Sequence, residues 1–203
     1  MPSEQLFRIL FWILILGVMI MRIVFTLRVR RAGERVMPDR AAVKREGWIP
    51  FAIRVFSFFT LLGLLVAYAF FPSSLSAFSF SFPDALRWLG FFIGLAGVGL
   101  WIWAQIALGK EWSPQLQLRE KHRLITTGPY ARMRHPLYSG MILWAGGLAL
   151  TSANWIFVAI ALLVGSVFFI RVPREEQMMI DEFGKEYREY MKRTGRVLPK
   201  IGL

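Results

Sequence analysis

Apolar runs long enough to lie in a bilayer alternate along this 203-residue chain with segments dense in lysine and arginine, and few folds accommodate that alternation. Leu6–Leu27 is the first run, with Arg8 near one end and Arg22 near the other, where long side chains can snorkel to headgroups. Its length, the presence of Glu4 and the lack of a small-x-small cleavage pattern favour a spanning helix over a signal peptide. Ile49–Phe71, with Arg54 near its start, and Ala85–Leu108 are the second and third runs. Leu137–Leu150 is only 14 residues, short for a full span, and after Thr151–Asn154 the chain returns through Trp155–Val172. These last two are expected to form a tight helical hairpin.

The basic residues set the topology. Of the 25 lysines and arginines, 21 fall in 28–45, 110–134 and 171–200, while the connections 72–84 and 151–154 contain none. Five spans with the N-terminus outside put all three basic segments in the cytoplasm, as the positive-inside rule requires. The expected fold is therefore an all-α integral membrane protein of about five transmembrane helices. Its C-terminal segment is charged and helix-prone, with Lys185 and Glu189 at i, i+4.

Composition excludes several function classes. A 56% hydrophobic chain is too apolar for an ordinary soluble domain. Without cysteine, and with two histidines lacking a nearby carboxylate cluster, it offers no structural zinc site, and no metal is expected. The net charge of +12 lies beside apolar spans rather than in an aromatic-interleaved soluble patch, which points to anionic lipid headgroups instead of nucleic acid. Gly90, Gly94, Gly97 and Gly99 resemble a nucleotide-binding loop only superficially, because no strand precedes them. Their spacing suits close helix–helix approach.

The polar chemistry collects around Leu124–Gly140, a sharply turned segment with two tyrosines, two further arginines and His135 between apolar blocks. Gly128-Pro129 marks a turn, and Pro136 suits the first turn of a helix through Leu150, so His135 and Tyr138 stand at a helix entrance. On the same face the topology gathers Gln115 and His122 of the preceding loop, Tyr130, and Arg171 with Glu175 and Glu176 after the last span. Arg171 and Glu175 share a face if the last span continues past Pro173. Each residue taken alone has a plain structural reading, as interfacial arginine, belt aromatic or helix-end carboxylate. Their clustering favours a site.

Leu124–Tyr130, then Arg134-His135-Pro136-Leu137-Tyr138-Ser139-Gly140, Arg171, Glu175-Glu176, Phe183-Gly184, Tyr187, Tyr190 and Arg196–Pro199 together resemble the isoprenylcysteine carboxyl methyltransferase family. That family sits with the membrane phospholipid methyltransferases among integral membrane enzymes that use S-adenosylmethionine and release S-adenosylhomocysteine. The resemblance covers roughly 109–199. Hydropathy and charge place three N-terminal spans in 1–108 with a basic loop at 28–48, and the resemblance implies a methyltransferase core in 109–203 comprising the cofactor loop, the hairpin 136–172 and a C-terminal cytoplasmic helix. It implies that Gln115, His122, Arg123, Leu124, Ile125, Tyr130, His135, Pro136, Leu137, Tyr138 and Glu175 hold the cofactor. Arg171 falls where the family binds the acceptor, with Glu175 and Glu176 beside it as candidate catalytic groups. Thr194-Gly195 stands where relatives often have a Val-Pro or similar pair.

The expected reaction is methyl transfer to a lipophilic acceptor, in the first instance the carboxylate of a prenylcysteine-type substrate. An amine acceptor would need Glu175 or Glu176 as base, and a thiol only its thiolate form, so phospholipid N-methylation and thiol S-methylation stay open. The absence of an obvious reticulum-retention tail suggests a prokaryotic cell membrane. The rival of another class is a non-catalytic membrane partner or transporter. A transporter is expected to bury ionisable groups at mid-membrane, which these spans do not show.

Overall fold

In the computed structural model, which describes residues 2–31, 48–109 and 124–200, the chain is built of helices: α1 (Pro2–Arg31), α2 (Trp48–Phe70), α3 (Pro72–Ser76), α4 (Asp84–Leu108), α5 (Pro136–Ser152), α6 (Trp155–Phe183) and α7 (Lys185–Arg193). A single 3₁₀ turn, Gly128–Ala131, precedes α5. Most of the basic loop 28–48 lies outside the described residues, as do Gln115, His122 and Arg123. Among the described residues, three stretches, Glu4–Arg28, Asp84–Leu108 and Trp155–Phe183, are long and apolar enough to cross a membrane. α2 adds the shorter apolar stretch Phe59–Phe70, and α5 is 17 residues, about 25 Å, somewhat less than the ~30 Å hydrocarbon core.

α4 and α5 form the centre because glycine lets their backbones touch. A Cβ on Gly97 would lie 2.5 Å from Trp144 N and 2.7 Å from Gly140 O, and one on Gly147 would lie 2.5 Å from Gly94 Cα. The glycine pattern thus serves helix approach, as small residues do in membranes. α1 packs on this pair through Phe7, Phe11 and Leu14, all essentially inaccessible, and Trp144 Nε1 donates to Leu14 O at 3.1 Å. Phe11 also meets the rings of Tyr68 on α2 and Phe157 on α6, with centroids 4.6 and 4.7 Å away.

Contacts at the helix ends define the two ends of the bundle. At the far end Arg87, 5% exposed, donates from Nη1 to Glu4 Oε2 at 2.7 Å and from Nε to Thr151 O at 3.0 Å, with its guanidinium 4.0 Å from the Phe7 ring centroid. One side chain therefore joins the starts of α1 and α4 to the end of α5. Arg8 lies against the end of α2. Its Nη2 donates to Tyr68 O at 2.9 Å and Ala69 O at 3.3 Å, satisfying carbonyls that the last turn of α2 leaves open.

The two connections without basic residues are knitted together at this end. Phe80 N donates to Ala153 O and Trp155 N to Phe78 O. Asn154 accepts from Ile156 N as the N-cap of α6 while its Nδ2 donates to Leu75 O at 3.0 Å. Ala153 closes the α5–α6 turn in the left-handed region, at φ 47°.

α6 does not stop at Pro173. It runs unbroken for 29 residues, about 43 Å, so its last turns extend past the hydrocarbon at the opposite end. Pro173 has no amide, so the helix loses one backbone bond and the Phe169 carbonyl its donor, both residues being exposed. Gly184, at φ 52°, then turns the chain into α7.

Candidate active site

α5 and α6 bring the polar residues of the sequence together at the end opposite Arg87. His135 is the N-cap residue of α5, and Tyr138 stands in the first turn. Because α6 continues through Pro173, Arg171 and Glu175 do share a face, with Arg171 Nε donating to Glu175 Oε1 at 2.8 Å. The Tyr138 hydroxyl donates to the same oxygen. Glu175 thus ties the first turn of α5 to α6.

Three rings stack here. Tyr138 lies between His135, at 5.6 Å and 11°, and Phe168 of α6, at 4.3 Å and 22°. Sequence reasoning missed Phe168. It is one of 18 phenylalanines, and only its place one turn before Arg171 on α6 distinguishes it. His135 is buried between the two carboxylates. Nδ1 is 3.7 Å from Glu175 Oε2, and Nε2 is 3.4 Å from Glu176 Oε1 yet makes no hydrogen bond.

Glu176 is placed differently from its neighbour. It is 3% exposed, and both oxygens are taken: Arg134 Nε donates to Oε1 at 2.7 Å, and Arg196 Nη2 and Nε donate to Oε2 at 2.6 and 3.0 Å. Burial by itself pushes this carboxyl up, but His135, Arg196 and Arg134 outweigh it and hold the group down at about 2. The ordinary value is 4.5, so the pair of arginines contributes stability that is complete above about pH 4.5 and is lost as the pH falls toward 2. The thermal midpoint of the wild type is expected to drop across that window. Glu176→Gln should cost on the order of 3 kcal/mol at neutral pH, mostly by stranding the buried Arg134 guanidinium, Arg196 being half-exposed, and should flatten the acid dependence; melting curves from pH 2 to 7 check both.

The arginines on Glu176 belong to a second layer made by the C-terminal return. Residues 194–200 run beside 132–135, with Gly195 N donating to Arg132 O, Arg134 N to Gly195 O and His135 N to Arg196 O. The Ser139 hydroxyl donates to Val197 O. Gly195 is required by this turn, since a Cβ would sit 1.9 Å from Leu198 O. From α7, Tyr187 and Tyr190 pack inward, and Tyr190 donates to Tyr130 O at 2.7 Å. Burial pushes the Tyr190 phenol up to about 12, so it stays a donor at any working pH. Burial likewise pushes the Tyr130 phenol far above its ordinary value. The motif residues Tyr190 and Arg196 thus act through the loop that carries His135, and Gly184 turns the chain into the helix that carries Tyr187 and Tyr190. Of the residues expected at the site, Tyr130, His135, Pro136, Leu137, Tyr138, Arg171, Glu175 and Glu176 gather at this end, with Leu124 and Ile125 leading into the 3₁₀ turn.

Residues 88–181 match the isoprenylcysteine carboxyl methyltransferase family, a stretch that begins on α4 and ends just past the two carboxylates on α6. Protein-S-isoprenylcysteine O-methyltransferase B of Arabidopsis thaliana is 36% identical over 101 residues, which cover 48% of this chain and 51% of the plant protein. The Schizosaccharomyces pombe protein-S-isoprenylcysteine O-methyltransferase is 33% identical over 134 residues, 64% of this chain and 56% of its own. The human counterpart is 41% identical over 88 residues, 43% of this chain and 31% of its own. The chain spans about half the length of the plant and yeast relatives. A solved structure of a eukaryotic intramembrane Ras methyltransferase, isoprenylcysteine carboxyl methyltransferase, superposes with a TM-score of 0.55 at 25% identity. The superposition covers 74% of this chain and 53% of that one. The family's membrane-embedded helical fold is therefore this chain's fold, and the relatives matched are eukaryotic.

Proposed function

We propose that this chain is an integral membrane methyltransferase that uses S-adenosylmethionine to methylate the carboxylate of a prenylcysteine-type acceptor. One observation carries the reading: Arg171, at the level where α6 leaves the hydrocarbon, is joined through a single Glu175 oxygen to Tyr138 at the entrance of α5. A cation for an anionic acceptor and an anion beside an aromatic stack are thereby held next to one another.

The residues present fit such a cofactor. His135 keeps a buried Nε2 without a hydrogen-bond partner, and Tyr138 presents a ring held between two others. The first turn of α5 adds little for an anion, since Pro136 has no amide and those of Tyr138 and Ser139 donate to His135 O. Leu124, Ile125, Tyr130, His135, Pro136, Leu137, Tyr138 and Glu175 would hold it, with Gln115, His122 and Arg123 assigned by the family resemblance. When bound, it supplies a methyl group on a cationic sulfonium.

Arg171 would orient the acceptor carboxylate through its planar fork. Glu175 would bind the amino group or ribose of the cofactor, and Tyr138 would face its positive charge. No base is required for a carboxylate, since a cation and an anion give two neutral products, and excluding water strengthens their attraction. Glu176, held at about 2 by two arginines, would be a poor base and is assigned here to holding the loop. The site end of the bundle would face the cytoplasm, because 110–134 and 171–200 carry the basic residues.

Calorimetric titration of the detergent-purified protein with S-adenosylhomocysteine tests the cofactor assignment. Binding is expected in the wild type and should weaken roughly tenfold or more in both Glu175→Ala and Tyr138→Ala. Wild-type protein that takes up neither S-adenosylmethionine nor S-adenosylhomocysteine at any concentration would refute the enzyme reading.

A further inference from the structure

The C-terminal return leaves one apolar side chain where the surrounding chemistry is entirely cationic. Leu198 is 74% exposed. Residues 192–200 contain Lys192, Arg193, Arg196 and Lys200 and no carboxylate, and Arg132 is exposed on the loop alongside. Among these cations, Arg196 reaches back to Glu176, Lys192 pairs with Glu189, and the exposed Lys200 ammonium donates one bond to Lys192 O. Arg193 lies 5.9 Å from the Tyr190 ring centroid and is otherwise exposed.

The depth of this segment is fixed from two sides. Val197 O accepts from Ser139 and Arg196 O from His135 N, so the return runs beside the first turn of α5, where that helix begins its passage. On the other side, Gly128 of the same loop lies against Trp103, a half-exposed indole near the end of α4 and a natural interfacial aromatic. A segment at that level is within reach of lipid headgroups.

We infer that residues 192–200 form an interfacial anchor that sets Leu198 into the glycerol and upper acyl region and places Lys192, Arg193 and Lys200 on the phosphates of anionic lipids. One apolar side chain alone holds weakly, and a few cations alone are screened by salt, whereas the two together make a stable surface contact. Because Arg196 on this segment holds Glu176, the anchor also steadies the loop bearing His135. The inference rests on residence in a membrane and not on the methyl-transfer reading.

The chain has no cysteine, so Leu198→Cys can be labelled uniquely with an environment-sensitive fluorophore. In nanodiscs of phosphatidylcholine mixed with phosphatidylglycerol, the label should emit to the blue of its emission in phosphatidylcholine alone and be quenched by lipid carrying a shallow nitroxide. Charge reversal at Lys192, Arg193 and Lys200 to Glu should abolish the difference between the two compositions. Unlabelled wild type gives an independent readout, as trypsin cleavage after Arg193 should slow in the anionic nanodiscs and not in the neutral ones. Emission and cleavage that are the same in both compositions, or a blue shift that survives charge reversal, would overturn the assignment.

Discussion

Arg171→Ala is expected to lower kcat/KM for a prenylcysteine acceptor by about 10²–10³-fold, the range found when one charge-stabilising donor is removed from a preorganised site. The residue cannot be treated as an isolated acceptor ligand, because its Nε is already on Glu175. Removing it also leaves the Glu175 carboxylate with Tyr138 on Oε1 and His135 Nδ1 3.7 Å from Oε2. Arg171→Lys keeps the charge but loses the planar fork, and should recover only part of the activity. The split between the two roles is read by measuring S-adenosylhomocysteine affinity in parallel. If Arg171 serves the acceptor, its Ala variant raises KM or lowers kcat much more than it weakens the cofactor, and Glu175→Ala shows the reverse. A variant that loses cofactor binding while keeping acceptor affinity would exchange the two assignments.

The site residues that sequence made legible are those whose reason is local. Pro136 starts a helix and Gly128-Pro129 a turn wherever they stand, and the i, i+4 spacing of Arg171 and Glu175 needs only an unbroken helix to become a contact. The fold was legible for the same reason, since hydropathy reports spans one at a time and basic residues report their ends. What stayed hidden depends on which distant segments meet. Glu175 and Glu176 are indistinguishable in sequence, yet one faces Tyr138 and the other is closed between Arg134 and Arg196. The pairing of 194–200 with 132–135 joins segments about 60 residues apart, with no pattern in either that names the other. Arg8 likewise reads only as an arginine at a span end, and nothing in the sequence singles out Arg87. Their partners, Glu4 and the carbonyls of α2, come from other helices.

Gly147→Val should have the largest effect on the fold itself. Even a single carbon at this position would lie 2.5 Å from Gly94 Cα and N and 2.6 Å from Gly90 O, all backbone atoms of α4 that no rotamer change can move aside. The helices must separate, and the pair is the centre on which α1 packs. Overpacking against yielding side chains costs typically 1–3 kcal/mol, so a loss of at least about 3 kcal/mol is expected where only backbone can yield. Gly146→Val is the internal control. That glycine is the adjacent residue on α5, and a Cβ there meets nothing within 4 Å. Titration into denaturing detergent should therefore shift the midpoint strongly for Gly147→Val and little for Gly146→Val. The consequence reaches the site, because α5 carries Tyr138 two turns and a half before Gly147, and a helix pushed off α4 no longer meets Glu175 on α6. Cofactor affinity should fall with stability in the first variant and stay near wild type in the second; equal midpoints for the two would mean that α4 and α5 are not held by glycine contact.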